Sequence, residues 1–93
     1  MTGDSCRQTV AVTNPQGFHM RPMAEFVEAA NRFRCTITVS RPGQSPANGK
    51  SMMALMGLVA TQGTDLVIEV TGPDATEALA ALVHVFQRTY DEE

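Results

Sequence analysis

Every strand-like stretch of this 93-residue chain is apolar on one side only, and that one-sidedness limits the folds open to it. Arg7 to Thr13 alternates with Val10 and Val12 on one face, Thr36 to Ser40 with Ile37 and Val39, and the stretch after Gln62-Gly63-Thr64 with Leu66, Ile68 and Val70. A short extended stretch near Ser45 to Asn48, reached through the Arg41-Pro42-Gly43 turn, should pair with Thr36 to Ser40 as a hairpin. Strands with a single apolar face belong to an antiparallel sheet that is covered on one side and wet on the other.

The cover has to come from helices. From Pro22 to Phe33, residues Met23, Phe26, Val27, Ala30 and Phe33 recur at helical spacing, while Glu25, Glu28, Asn31 and Arg32 take the opposite face. After Gly72-Pro73-Asp74, a second stripe of Ala75, Ala78, Leu79, Leu82, Val83 and Phe86 marks the final helix, with Asp74 and Glu77 spaced for capping and for the dipole. Ser51 to Leu58 makes a shorter helix capped by Ser51. The predicted order is β-α-β-β-α-β-α, an α+β fold with its helices on one face of the sheet. With 43% hydrophobic residues the chain can bury one modest core, so a single domain over 1–93 is expected, with 1–6 and 89–93 as frayed tails.

Composition narrows the function classes. A formal charge of −3 without a Lys/Arg run argues against nucleic-acid or anionic-membrane binding, which depend on concentrated positive charge. No segment reaches the apolar length of a membrane span, and the opening residues carry Asp4 and Arg7 instead of an apolar signal core, so a cytoplasmic protein is expected. Cys6 and Cys35 make no disulfide framework and are expected as free thiols; no His/Cys cluster has metal spacing, and no cofactor is expected. His84 is expected at the surface.

The segment Asn14-Pro15-Gln16-Gly17-Phe18-His19-Met20-Arg21-Pro22-Met23 carries the chemistry. Gly17 can take the positive φ of a sharp entry turn, and Pro22 suits a first helical turn, where no backbone N–H is missed. His19 then falls near the N-cap, where the first amides of the helix have no internal partners and favour an anion. A neutral imidazole is nucleophilic and can carry a covalent phosphoryl group; Arg21 supplies a cationic fork for its oxygens. The plainer alternative is a capping or solvated histidine beside a surface arginine.

Two further features need a reading. Gly49-Lys50-Ser51 imitates the end of a nucleotide-binding P-loop, but Gly43 precedes Gly49 with five intervening residues where the motif needs four, and Pro46 interrupts the segment. What remains is Ser51 as a plain N-cap or as a phosphate acceptor whose charge the helix end would tolerate. Met52, Met53 and Met56, with Met20 and Met23, either fill the core or form an adaptable docking patch near His19.

Taken together, Gly17-Phe18-His19-Met20-Arg21-Pro22 after the first strand, Asn48-Gly49-Lys50-Ser51 before a short helix, and Gln62-Gly63-Thr64 before the last strand resemble the HPr family, the histidine-containing phosphocarriers of the bacterial phosphoenolpyruvate:sugar phosphotransferase system. The likeness spans Gln8 to Gln87. It implies an open-faced β-sandwich with three helices on one face of a four-stranded antiparallel sheet. It also implies a stoichiometric carrier, not an enzyme, in which His19 takes a phosphoryl group on Nδ1 from Enzyme I and passes it to EIIA domains of sugar permeases, with Arg21 stabilising the group. By the same likeness Ser51 matches a regulatory serine modified by an HPr kinase/phosphorylase, and Met20, Met52, Met53 and Met56 lie in the surface that docks both partners. A monomer without membrane insertion is expected. The chain departs from the family pattern at Phe18, where leucine is usual, and at Met20 and Met23, where small residues are usual, and the Arg41 to Asn48 connection is slightly longer. Two rival readings are a regulatory paralogue of the nitrogen-related branch and a non-catalytic interaction module.

Overall fold

The computed structural model of the chain describes residues 4–88. In order along the chain these form β1 (Asp4–Ala11), α1 (Met20–Ala30), β2 (Thr36–Ser40), β3 (Ala47–Asn48), α2 (Met52–Met56), β4 (Asp65–Gly72) and α3 (Ala75–Gln87). The strands make one antiparallel sheet in the order β1-β4-β2-β3. The inward residues are those the alternation picked out: Val10, Ile37, Val39, Leu66, Ile68 and Val70 are all buried, and Phe26, Ala30, Ala78 and Leu82 from the two long helices close over them. On the other face Arg7, Glu69 and Thr38 lie side by side across three strands, in the register Arg7↔Glu69 and Thr38↔Glu69. This is the open-faced arrangement expected, with its helices on one side.

The boundaries moved where side chains do something that periodicity does not encode. β1 begins at Asp4, so residues 4–6, expected in a frayed lead-in, pair with Gly72, Thr71 and Val70; residues 1–3 and 89–93 lie outside the described residues. α1 starts at Met20, two residues before the expected Pro22, which therefore occupies the third helical position, still within the turn that needs no amide donor. It ends at Ala30, short of Phe33. There the Asn31 side-chain amide donates to the Val27 carbonyl at 2.9 Å, and the Arg32 and Phe33 amides close tighter bonds on Ala29 and Ala30.

Asp74 is a correction. Its carboxylate makes no cap bond to α3; it accepts the Arg34 amide at 3.0 Å and the Cys35 amide at 3.2 Å, tying the start of α3 to the chain entering β2. These donors, the Arg34 amide foremost, hold the Asp74 carboxyl below its ordinary range. Burial, seconded by the Asp74 carboxylate, pushes the Cys35 thiol up. Gly72 has to be glycine beside it: φ is +146°, and a Cβ there would sit 2.7 Å from the Cys35 Cα. Cys6 and Cys35 are both free thiols, and His84 is exposed.

Candidate functional site

The loop between β1 and α1 is held along most of its length by the segment leading into β4. The Val12 amide donates to the Thr64 carbonyl at 2.9 Å, the Gly63 amide donates to the Val12 carbonyl at 2.7 Å, and the Gln62 side chain donates to the Thr13 carbonyl at 3.1 Å. Gly17 turns at φ +76°, donates to Asn14 at 2.8 Å, and approaches so closely that a Cβ would lie 2.7 Å from the Ala60 carbonyl oxygen. The Phe18 amide then donates to that same Ala60 oxygen at 2.9 Å. The Phe18 ring points inward, 5.0 Å from Phe86 and 6.0 Å from Phe26 between centroids. Aromatic contacts of this kind add about 0.5–1.5 kcal/mol each beyond their buried area. The bulkier residue at this position thus anchors the loop between α1 and α3.

His19 follows at once as the N-cap of α1, with extended backbone and its carbonyl accepting the Met23 amide at 3.0 Å. Its side chain does not cap the helix. The ring is half-buried: Nδ1 lies 3.1 Å from the Asn14 side-chain nitrogen and 3.1 Å from the Gly17 carbonyl oxygen, and Nε2 is screened from solvent. Two tautomers fit. When the Asn14 amide donates, Nδ1 is bare and the proton sits on Nε2; when Nδ1 carries the proton it donates to Gly17. The first state leaves a lone pair on Nδ1, guarded by a neutral donor that a phosphoryl oxygen can also use. Asn14 stands in the motif, yet nothing in its spacing marked it as the partner of His19.

Arg21 is exposed in the first turn of α1, two residues past His19. That turn holds no acidic residue, so nothing on the helix itself answers the partial positive charge of its amides.

Ser51 is the N-cap of α2, its Oγ accepting the Ala54 amide at 3.1 Å. The triplet that imitates a P-loop has structural work instead. Gly49 is buried where a Cβ would meet the Ile37 Cγ2 at 2.5 Å, the Lys50 amide donates to the Asn48 side chain at 2.9 Å, and the Lys50 ammonium donates to the Phe33 carbonyl at 2.8 Å. The methionines divide. Met20, Met53 and Met56 are exposed, Met53 to 82%; Met52 is partly buried against the core, and Met23 is buried.

Val59, which the sequence did not single out, joins the three exposed methionines as a large exposed apolar side chain. It is also in left-handed backbone at φ +50°. For a β-branched residue that conformation costs about 1–2 kcal/mol.

Among the described residues no helix is long and apolar enough to cross a membrane. The family model described as "PTS HPr component phosphorylation site" matches residues 6–88. The chain is 40% identical over 83 residues to the phosphocarrier protein HPr of Pseudomonas aeruginosa, covering 89% of this chain and 92% of that one. It is 33% identical over 87 residues to the phosphocarrier protein NPr of Escherichia coli K12, covering 94% and 97%. Among solved structures, HPr-C-His from Thermoanaerobacter tengcongensis superposes with a TM-score of 0.83 at 34% identity, covering 88% of this chain and 91% of that chain. The chain belongs to the HPr family of phosphocarrier proteins.

Proposed function

We propose that this protein carries a phosphoryl group on His19 Nδ1, received from the phosphohistidine of Enzyme I and delivered to EIIA-type acceptors in phosphoenolpyruvate-dependent sugar uptake. The supporting observation is the start of α1: a histidine N-cap whose side chain turns away from its own helix, with Nδ1 held beside the Asn14 amide. Nδ1 attacks phosphorus in line with the donor's P–N bond. One P–N bond breaks as another forms; the donor ring, carrying a proton on its other nitrogen, takes back the bonding pair and leaves as a neutral imidazole, while the His19 proton stays on Nε2, so the two rings exchange the phosphoryl group with no net proton transfer and no base is required. Charge on the equatorial oxygens is met by Arg21, the first amides of α1 and the displaced Asn14 donor. The carrier turns over only with its partners and is not itself an enzyme. One cytoplasmic domain acting as a monomer suffices for this role.

Ser51 is the proposed regulatory site. A phosphate on its Oγ would replace the bond to Ala54 and place negative charge on the helix that carries Met53 and Met56, weakening the approach of Enzyme I through repulsion and desolvation.

The test is incubation with Enzyme I from the same organism and labelled phosphoenolpyruvate. Acid-labile label on the parent protein and none on His19→Ala is the expected result; label retained by His19→Ala, or none on the parent beside an active Enzyme I, would reject the reading. Ser51→Asp should be labelled more slowly, and labelling at the parental rate removes the regulatory part. Offering the charged protein an EIIA domain of a sugar permease and a nitrogen-branch acceptor in parallel distinguishes sugar uptake from regulation, a distinction raised by the similarity to NPr.

A further inference from the structure

We propose that Val59 is a specificity-determining contact for the phosphoryl-donating protein, its isopropyl group held outward by the fold as part of the surface around His19. The inference rests on the carrier reading above. Strained backbone persists where surrounding structure over-determines it, and such residues gather at functional sites. The core does not explain Val59, because its side chain is 69% exposed. A glycine or asparagine would sit at φ +50° with far less strain.

The neighbouring peptides are fixed from both sides. On one, the Leu58 carbonyl accepts the Arg41 guanidinium at 3.2 Å, reaching across from the end of β2, and the Leu58 amide donates back to Leu55 at 3.0 Å. On the other, the Ala60 carbonyl accepts the Phe18 amide at 2.9 Å. The same short connection therefore holds Val59 in place and supports the residue that precedes His19. Val59 follows Met56 by three positions, its amide directed at the Met56 carbonyl at 3.4 Å. It is thus continuous in the chain with α2, which carries Met53 and Met56, and is tied through the Ala60 carbonyl to the His19 loop.

That continuity chooses the occupant. A protein whose phosphohistidine must come within bonding distance of His19 has to cover the ground next to the loop, and beside the Arg21 charge the large exposed apolar side chains among the described residues are Met20, Met53, Met56 and Val59. The methionines adapt to such a partner. Val59 has one stiff rotatable bond, so burying it orders little, and it presents a fixed shape for discrimination among partners.

The experiment measures steady-state phosphoryl transfer from Enzyme I to the parent protein and to Val59→Asn, Val59→Gly and Val59→Ile, with thermal unfolding of each. Asparagine tolerates the left-handed backbone and removes the apolar contact. Val59→Asn should unfold no lower than the parent yet show a KM roughly tenfold higher at nearly unchanged kcat, as for loss of one buried valine contact. Val59→Gly should behave alike, and Val59→Ile should keep the parental KM. A parental KM in Val59→Asn, or an equal rise in Val59→Ile, overturns the assignment while the carrier reading stands. A parent protein that takes no label fails the carrier reading, and this inference with it.

Discussion

The starts of α1 and α3 are the same kind of structure put to opposite uses. Each begins a long amphipathic helix lying on the sheet, and in neither does the N-cap side chain bond to its own helix. At α3 the cap is a carboxylate and the first turn contains Glu77, so the partial charge of the helix end is answered from within the chain. At α1 the cap is an imidazole, the first turn has no acid, and Arg21 adds positive charge. One helix start carries negative charge of its own, and the first turn of the other carries none. In a chain of net charge −3, the helix start beside His19 therefore suits a negatively charged group better than the start of α3 does.

Making α1 resemble α3 is the strongest way to break this contrast. Arg21→Glu places a carboxylate in the first turn of α1, removes a charge-assisted donor and adds repulsion. A hydrogen bond to a charged group contributes about 1.5–3 kcal/mol, so phosphoryl acceptance by His19 should fall by about a hundredfold while the far-UV circular dichroism is preserved. Transfer at the parental rate would mean that the start of α1 has no electrostatic role.

A smaller effect separates the loop's position from its chemistry. Gly17 and Gly43 both have positive φ, at +76° and +82°, but a Cβ at Gly17 meets the Ala60 carbonyl at 2.7 Å whereas one at Gly43 has no atom within 4 Å. Gly43→Ala should lose about 1 kcal/mol from backbone strain alone. Gly17→Ala should lose about 2 kcal/mol, lowering the unfolding midpoint by about 10 °C. Equal losses in the two variants would show that the close approach of the loop to Ala60 is unimportant.

The sequence disclosed the architecture well because the architecture depends on periodicity. Val10, Ile37, Val39, Leu66, Ile68 and Val70 announce a sheet with one covered face, and Phe26, Ala78 and Leu82 announce its cover. It singled out His19 and Arg21 as candidates from their residue types and spacing, and both stand at the start of α1. It could not disclose pairings between distant segments. Asn14 reaches a ring five residues on, Asp74 reaches amides about forty residues back, and Val59 owes its conformation to bonds from Arg41 and Phe18 to its neighbours. Gly49 imitates a phosphate-loop glycine whose spacing fails, and the approach of Ile37 and Phe26 explains why it is glycine. Local pattern reports which face is buried; it does not report which distant donor an acceptor will find.

Asp74 tests the start of α3, where the difference between parent and variant is largest near neutral pH and narrows in acid. Its carboxyl is held below the ordinary range by the Arg34 amide and then by Cys35, so in the folded protein it stays ionised at a pH where the unfolded chain has begun to take up a proton. The unfolded state then binds more protons than the native state, and stability falls as pH drops through and below the ordinary aspartate range near ~3.9. Asp74→Asn cannot titrate and offers only a neutral acceptor. It should be less stable than the parent at neutral pH, with the difference narrowing as both are acidified, and its acid limb of unfolding should be correspondingly shallower. Phosphoryl acceptance at His19 should be unaffected in the folded variant, because the start of α3 makes no bond to the His19 loop among those described. Parallel acid limbs for the two proteins would show that the Arg34 and Cys35 amides do not favour the ionised carboxylate, and the tie between the start of α3 and the chain entering β2 would then owe nothing to its charge.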